Sequence, residues 1–184
     1  MNSDNRISTR TRILTAASDI IRSQGLERLT LEAVAKEAGL SKGGLLYHFP
    51  SKEVLITSMV EELTSNYEAD IQKRVSNGSQ DKGKWSRAYV ESTFRGLEDG
   101  FPMSSVLSAA LFTNPELLEK MQTQYDIWQK KIENDGIDPV RASIARLTAD
   151  GLWFSEMFGL SPLDQELRER VFHELMNGLK GEDE

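Results

Sequence analysis

An all-α fold is what this sequence predicts, on three observations. Apolar residues recur at three- and four-residue spacing along nearly the whole chain. No stretch alternates as a half-buried strand would, and the breaks between periodic runs fall on Gly, Pro, Asn and Asp. About nine helices are expected, in an N-terminal helix-turn-helix domain over residues 8–67, which takes in the first part of a linking helix, and a helical body over residues 68–184.

Residues 30–53, TLEAVAKEAGLSKGGLLYHFPSKE, specify two short helices around a tight turn. Thr30 is a good N-cap, and Leu31, Val34, Ala35 and Ala38 form a single apolar stripe over 31–38. Gly39 stops that helix, Leu40 plugs the turn, Ser41 caps a second helix over about 42–49, and Pro50 forbids its continuation. Ser51 then caps a long helix that keeps Val54, Leu55, Met59, Leu63 and Tyr67 in register to about residue 76 and links head to body. A loop, NGSQDKG, occupies 77–83. Further helices are expected at 84–98, 103–112, 115–134, 139–160 and 163–179, separated by Asp99-Gly100 with Pro102, Thr113-Asn114-Pro115, Asp135-Gly136-Ile137-Asp138-Pro139 and Ser161-Pro162.

On the second short helix, a step of about 100° per residue puts Leu45 and Phe49 on one face, against Val34 and Ala38, and Gly43, Gly44 and Tyr47 on the other. Two glycines cost about 1 kcal/mol each relative to alanine inside a helix. Either the segment is a strained turn without functional meaning, or something needs its backbone uncovered, as close approach of a large ligand would. With Lys42, Tyr47, His48 and Lys52 nearby, DNA is the ligand these residues favour.

The segment resembles the helix-turn-helix of the tetracycline repressor (TetR) family. The matching residues are Thr30, Ala35, Ala38, Gly39, Ser41, Lys42, Gly43, Tyr47, Phe49, Ser51, Lys52 and Glu53, with Arg12, Ile13, Leu14, Ala16, Ala17, Gly25 and Leu29 resembling the family's first helix and the loop after it. The likeness covers roughly residues 8–60. It implies a three-helix DNA-binding domain followed by a ligand-binding and dimerisation domain. It also implies phosphate contacts from Tyr47, Lys52 and Thr30, with Lys42 and Gly43 at the start of the recognition helix, where groove entry is deepest. Ser41 and Gly44 complete the expected contact surface, and His48 either donates to a phosphate or packs beside Phe49. Gly44, Leu45 and Leu46 depart from the family pattern, which often has a polar or small β-branched residue before the tyrosine. Few side chains are then left for bidentate base contacts, and specificity leans on backbone approach, thymine methyls and DNA deformability.

The net charge of −7 is segregated: residues 1–52 carry +3 and the remainder −10. An acidic body on a mildly basic head orients the molecule on a polyanion and implies weak, salt-dependent non-specific binding. Arg6, Arg10 and Arg12 either touch phosphates or the minor groove, or form a solvated basic tail.

Other classes are disfavoured by composition. There is no cysteine, and the two histidines, His48 and His173, lie far apart, so no thiol sensor, disulfide or cofactor-bearing metal site is expected. No apolar run approaches the roughly 18 residues of a membrane span, and MNSDNRISTRTR lacks a signal-peptide core, so the expected compartment is the cytoplasm. An enzyme would need a phosphate-cradling glycine loop, a nucleophile signature or a metal-ligand cluster, none of which is present in the sequence. A helical ligand-binding or adaptor protein without DNA contact is the alternative, and it leaves Lys42, Gly43, Gly44, Tyr47 and Lys52 unexplained.

The last two helices offer Ala142, Ala145, Ala149 and Gly151 beside Leu147, Leu152, Phe154 and Phe158, then Leu167, Val171, Phe172, Leu175, Met176 and Leu179. This is more apolar surface than one partner covers. It suits either a monomer core or the two-fold four-helix homodimer interface that the resemblance implies. An effector cavity for an unknown small molecule is expected among Phe94, Phe112, Trp128, Trp153 and Met157, with polarity from Thr93, Arg95, Asp150, Ser155 and Glu156. The sequence therefore predicts a DNA-binding transcriptional regulator. It is expected to be a dimeric repressor that small-molecule binding releases from its operator by shifting the population of two states, with residues 51–76 transmitting the change.

Overall fold

The computed structural model of the chain describes residues 8–78, 82–98, 110 and 114–180, and among these every regular element is helical. Eight α-helices follow in order: α1 (Thr9–Gln24), α2 (Leu31–Glu37), α3 (Lys42–His48), α4 (Lys52–Asn77), α5 (Lys84–Glu98), α6 (Pro115–Glu133), α7 (Pro139–Phe158) and α8 (Gln165–Gly178), with a 3₁₀ turn at Leu26–Arg28. The helix expected at 103–112 lies outside the described residues, Ala110 excepted.

The chain divides into two compact units. The first runs to Leu63 and includes the stretch that ends at Leu117; the second runs from Thr64 and resumes at Leu118. Helices α4 and α6 therefore contribute to both.

In the first unit α1 buries Ile13, Leu14, Ala16, Ala17, Ile20 and Ile21, the three- and four-residue spacing of one helical face. That face packs on α2, and α2 packs on α3. Leu55, Met59 and Val60 bring the first turns of α4 into the buried set. Asn114 ties this unit together locally: its Nδ2 donates to Thr57 Oγ1 at 3.1 Å, while its Oδ1 accepts from Leu117 N at 3.2 Å and so caps α6.

The second unit is built around α5 and α7. Ala142, Ala145 and Ala149 are all buried, and their small side chains let α7 approach α5 closely. The expectation left the alanine row open between a subunit core and a dimer face, and the structure places it in the core. Around it pack Ile71, Tyr89, Val90, Phe94, Trp128, Ile132 and Leu179, with Val171, Phe172, Leu175 and Met176 of α8 closing one side. Tyr67, Tyr89 and Trp128 meet edge to face, with ring centroids 5.3–5.8 Å apart. Each such pair is worth about 0.5–1.5 kcal/mol beyond burial.

Several polar groups in this core are paired, while the buried Trp128 Nε1 and Arg146 Nε have no hydrogen-bond partner among the described residues. Tyr67 Oη and Thr93 Oγ1 are 2.6 Å apart, and Tyr89 Oη donates to Asp150 Oδ1 at 2.5 Å while Arg146 Nη1 donates to Asp150 Oδ2 at 2.7 Å. Burial pushes the Tyr67 and Tyr89 hydroxyls up, and it lifts the Asp150 carboxyl above its usual range despite the Tyr89 hydrogen bond and the Arg146 charge.

Helix ends follow local chemistry where the cap is adjacent. Asp138 Oδ1 accepts from Val140 N and Arg141 N before Pro139 opens α7, and Asp164 Oδ1 accepts from Leu167 N to start α8. Gly159 at φ +64° closes α7 two residues earlier than the apolar periodicity suggests, with Leu160 N donating to Ser155 O at 2.9 Å. The N-terminus of α5 is different. Its cap comes from far along the chain, with Asp135 Oδ2 accepting from Ser86 N at 2.7 Å and Gly83 N donating to Asp135 O at 2.6 Å.

Candidate nucleic-acid interface

The turn between α2 and α3 is fixed by short hydrogen bonds. Thr30 Oγ1 accepts from Ala33 N at 3.1 Å and starts α2. At the other end Leu40 N reaches Ala35 O at 2.8 Å and Gly39 N reaches Lys36 O at 3.1 Å, a Schellman closure that needs the positive φ of +64° at Gly39. Ser41 Oγ accepts from Gly44 N at 3.1 Å to open α3, and Ser51 Oγ accepts from Val54 N at 3.2 Å to open α4. Side-chain caps of this kind are worth about 1 kcal/mol each.

Packing then decides which side of α3 faces outward. Leu45 and Phe49 are buried together with Val34 and Ala38, and the Arg10 guanidinium lies 5.5 Å from the centre of the Phe49 ring. Arg10 therefore stands in the first turn of α1, stacked on an aromatic face rather than in a loose tail. Arg12 is exposed on the same helix, and Arg6 lies outside the described residues.

The outer side of α3 carries Lys42, Gly43 and Tyr47, all exposed, and Tyr47 keeps 85% of its surface in the open. A Cβ added to Gly43 would meet no heavy atom within 4 Å. The fold itself makes no demand for glycine there. Gly44 differs, because its Cβ would stand 3.3 Å from Ser41 Oγ, so the N-cap crowds this position. His48 is half-buried, its ring edge-on to Tyr47 with centroids 5.2 Å apart, and Lys52, half-buried, stands in the first turn of α4.

One contact was not legible in the sequence. Lys42 Nζ pairs with Glu32 Oε1 of α2, both side chains largely exposed, and the Lys42 hydrogen bond holds the Glu32 carboxyl below its usual range. Glu32 sits ten positions before Lys42, and only the α2–α3 turn brings the two together.

Of the cavity-lining candidates in the second unit, Phe94 borders a groove of about 590 Å³ with Phe172, Arg95 and Arg168, and its ring centroid is 5.1 Å from that of Phe172. Trp128 is buried in the aromatic core beside Tyr67, Tyr89 and Tyr125, while Trp153 and Met157 are half-buried on α7, and none of these three lines that groove. Phe112 lies outside the described residues. Of the polar candidates, Arg95 lines the groove and Thr93 and Asp150 serve the core network. Ser155 Oγ donates to Leu160 O, and Glu156 Oε1 accepts from Arg168 at 3.3 Å. Among the described residues no group of three or more His, Cys, Asp or Glu is arranged to hold a metal ion, and no helix is long and apolar enough to cross a membrane.

A bare-faced helix presented by a capped turn defines a helix-turn-helix protein, and the comparisons agree. Residues 13–59 match the model of bacterial regulatory proteins of the tetR family, and residues 83–180 match that of the tetracyclin repressor-like C-terminal domain. The chain belongs to the TetR family of bacterial regulators. Over 52 residues it is 42% identical to the HTH-type transcriptional regulator UidR of Escherichia coli K12, a match spanning 28% of this chain and 26% of that protein. A longer match, 24% identical over 150 residues, covers 73% of this chain and 71% of the HTH-type transcriptional regulator YfiR of Bacillus subtilis. Among solved structures, a transcriptional regulator from Rhodococcus sp. Rha1 superposes with a TM-score of 0.69 at 22% identity, covering 94% of each chain. The fatty acid degradation regulator FadR of Bacillus halodurans does so at 0.68 and 18%, covering 97% of this chain and all of that one. At these identities the structural likeness establishes the fold alone.

Proposed function

We propose that this protein is a sequence-specific DNA-binding transcriptional regulator, a repressor that leaves its operator when a small molecule occupies its second unit, and that it carries no catalytic activity. The observation that carries the proposal is the outer face of α3, where Gly43 has open space around it and Tyr47 is 85% exposed. A glycine kept in the first turn of α3 without an intramolecular reason is explained by close approach of something from outside. The DNA-binding domain in this proposal spans residues 8–67. Lys42 and Gly43 enter the major groove, Tyr47, Lys52 and Thr30 hold phosphates, and Ser41, Gly44 and His48 complete the surface.

The working form in this proposal is a homodimer through α7 and α8, in the cytoplasm. Its support is an uncovered apolar stripe along α7. Val140, Ile144, Leu147, Phe154 and Phe158 recur at three-, four- and seven-residue steps and are 64%, 56%, 57%, 51% and 41% exposed, with Leu167 of α8 at 41%. A two-fold pair presents two recognition helices to half-sites one or more helical turns apart, about 34–36 Å per turn.

The test is fluorescence anisotropy of the full chain against DNA flanking its own gene, at two salt concentrations. Tight, salt-dependent binding to one segment over a scrambled duplex is expected. Equal affinity for both duplexes removes sequence specificity, and no binding at low salt favours a helical ligand-binding or adaptor protein.

A further inference from the structure

The second unit is acidic, yet it holds a basic groove. Between the end of α4 and α5 lies a groove of about 440 Å³ whose lining carries five lysine or arginine side chains against two carboxylates, Asp70 and Glu91. Both carboxylates are already engaged. Arg74 Nε donates to Asp70 Oδ2 at 2.7 Å and Arg74 Nη1 to Glu91 Oε2 at 2.8 Å, and Ser92 Oγ donates to Asp70 at 2.8 Å. Arg74 offsets one of the two negative charges, and Lys73 and Arg95 form no ion pair among the described residues, although the Arg95 charge also acts on Asp70. Four cations face the groove beyond Arg74, in a part of the sequence whose net charge is −10. Walls of one sign in a concave site concentrate the potential and attract the opposite charge.

The second groove, of about 590 Å³, shares Arg74, Glu91 and Arg95 with the first and adds Phe94, Phe172 and the charged pair Arg168 and Glu169, of which Arg168 is bonded to Glu156 and Glu169 accepts from Gln165. Because the two linings share these residues, a cationic surface adjoins an aromatic one. Both volumes fall in the range of small-molecule sites, which pair an apolar lining with a few orienting polar groups. A cationic ligand would meet a lining with more positive than negative side chains, and a neutral apolar one would gain nothing from Lys73 and Arg95.

We infer that the effector of this regulator is an organic anion whose charged head, a carboxylate, sulfonate or phosphate, is held by Arg95 and Lys73 and whose apolar body lies on Phe94 and Phe172. The inference rests on the ligand-responsive function proposed above. It also names the point at which the ligand acts. Arg74 joins α4 to α5 through Glu91, and an anion in the groove competes with Glu91 for that guanidinium. The helix it would release, α4, begins at Lys52 and is capped by Ser51.

The test compares two dyes of the same aromatic skeleton on the full chain: 1-anilinonaphthalene-8-sulfonate, which carries the anion, and N-phenyl-1-naphthylamine, which does not. The sulfonate is expected to bind about tenfold or more tightly than the neutral dye, as one charge-assisted contact predicts. Arg95→Glu combined with Lys73→Gln is expected to weaken only the sulfonate, by about tenfold, while Arg95→Lys retains most of its affinity. Both positions lie at the solvent-facing edge of the groove, and unchanged thermal unfolding of the variants verifies an intact fold. Equal affinity for the two dyes, or sulfonate binding indifferent to the double variant, overturns the inference. Adding the sulfonate dye to the protein–DNA complex separates this inference from the function it rests on. Release of DNA supports both. Sulfonate binding that obeys the variants but leaves DNA affinity unchanged keeps the anion site and overturns its regulatory role.

Discussion

Two exposed helical faces in this molecule have opposite chemistry. On α3 the outer face is stripped: Gly43 offers backbone, Tyr47 offers a hydroxyl, and Lys42 is held by Glu32. On α7 the outer face is filled, with Val140, Ile144, Leu147, Phe154 and Phe158 in one row. A surface that must meet and leave a hydrated polyanion gains from reach and charge, and it works in salt-sensitive increments. A surface meant for permanent contact gains from apolar area, which salt barely weakens. The contrast shows that exposure alone carries no functional meaning until the chemistry of the exposed face is specified.

The largest effect that can break this contrast is on α7. Leu147→Glu puts a charge into the middle of the stripe, and the dimer dissociation constant should rise by about three orders of magnitude, some 4 kcal/mol, in sedimentation equilibrium. A subunit that stays dimeric with this substitution shows the stripe to be ordinary surface. On α3, Gly43→Leu should abolish operator binding with helix content and dimerisation unchanged, because nothing inside the subunit lies within 4 Å of the added Cβ. Gly43→Ala isolates the conflict: it should stabilise the fold by up to about 1 kcal/mol in denaturant melts while weakening operator binding. Tighter binding by that variant would mean the glycine serves no approach.

Smaller effects sharpen the comparison. Lys52→Ala should weaken all DNA sequences alike and flatten the slope of log affinity against log salt by about 0.9, as loss of one phosphate contact predicts. An unaltered slope takes Lys52 out of the interface. In the second unit, Asp150→Asn tests the buried carboxyl. Burial lifts Asp150 above its usual range, so the folded chain holds its proton more readily than the unfolded chain. Wild-type stability relative to the asparagine variant should therefore fall as pH rises from the ordinary aspartate value through the raised one. A difference independent of pH would show that the Arg146 ion pair cancels the burial.

Legibility of the sequence tracked the span of the interactions. Thr30, Gly39, Ser41, Pro50 and Ser51 act on neighbours within a few residues, so the boundaries of α2 and α3 and the start of α4 could be read directly, as could the burial of Leu45 and Phe49. The equivalence assumed between Gly43 and Gly44 did not survive packing, since the Ser41 cap crowds only the second. The Lys42–Glu32 pair depends on how a turn brings two helices together, and no periodicity encodes it. The basic groove was less visible still. It takes residues from α4 and α5, with the adjoining groove reaching α8, and its sign is hidden beneath the acidic average of the whole stretch. Among the aromatics, spacing placed Tyr67, Trp128 and Phe94 on helices but had no means of separating a core ring from one that borders a groove.

The cap on α5 carries a consequence for how the protein is born. Thr30 and Ser41 satisfy backbone donors three residues away, whereas the carboxylate that closes the start of α5 is 49 residues downstream of the amide it receives. During synthesis, which adds residues at about 5–20 per second, α2 and α3 can complete their ends as soon as they emerge. Helix α5 must wait for α6 and its following loop to leave the ribosome, and until then its opening turn has no lid and its apolar side no shelter. Chaperone engagement and early proteolytic nicking of the nascent chain should concentrate there.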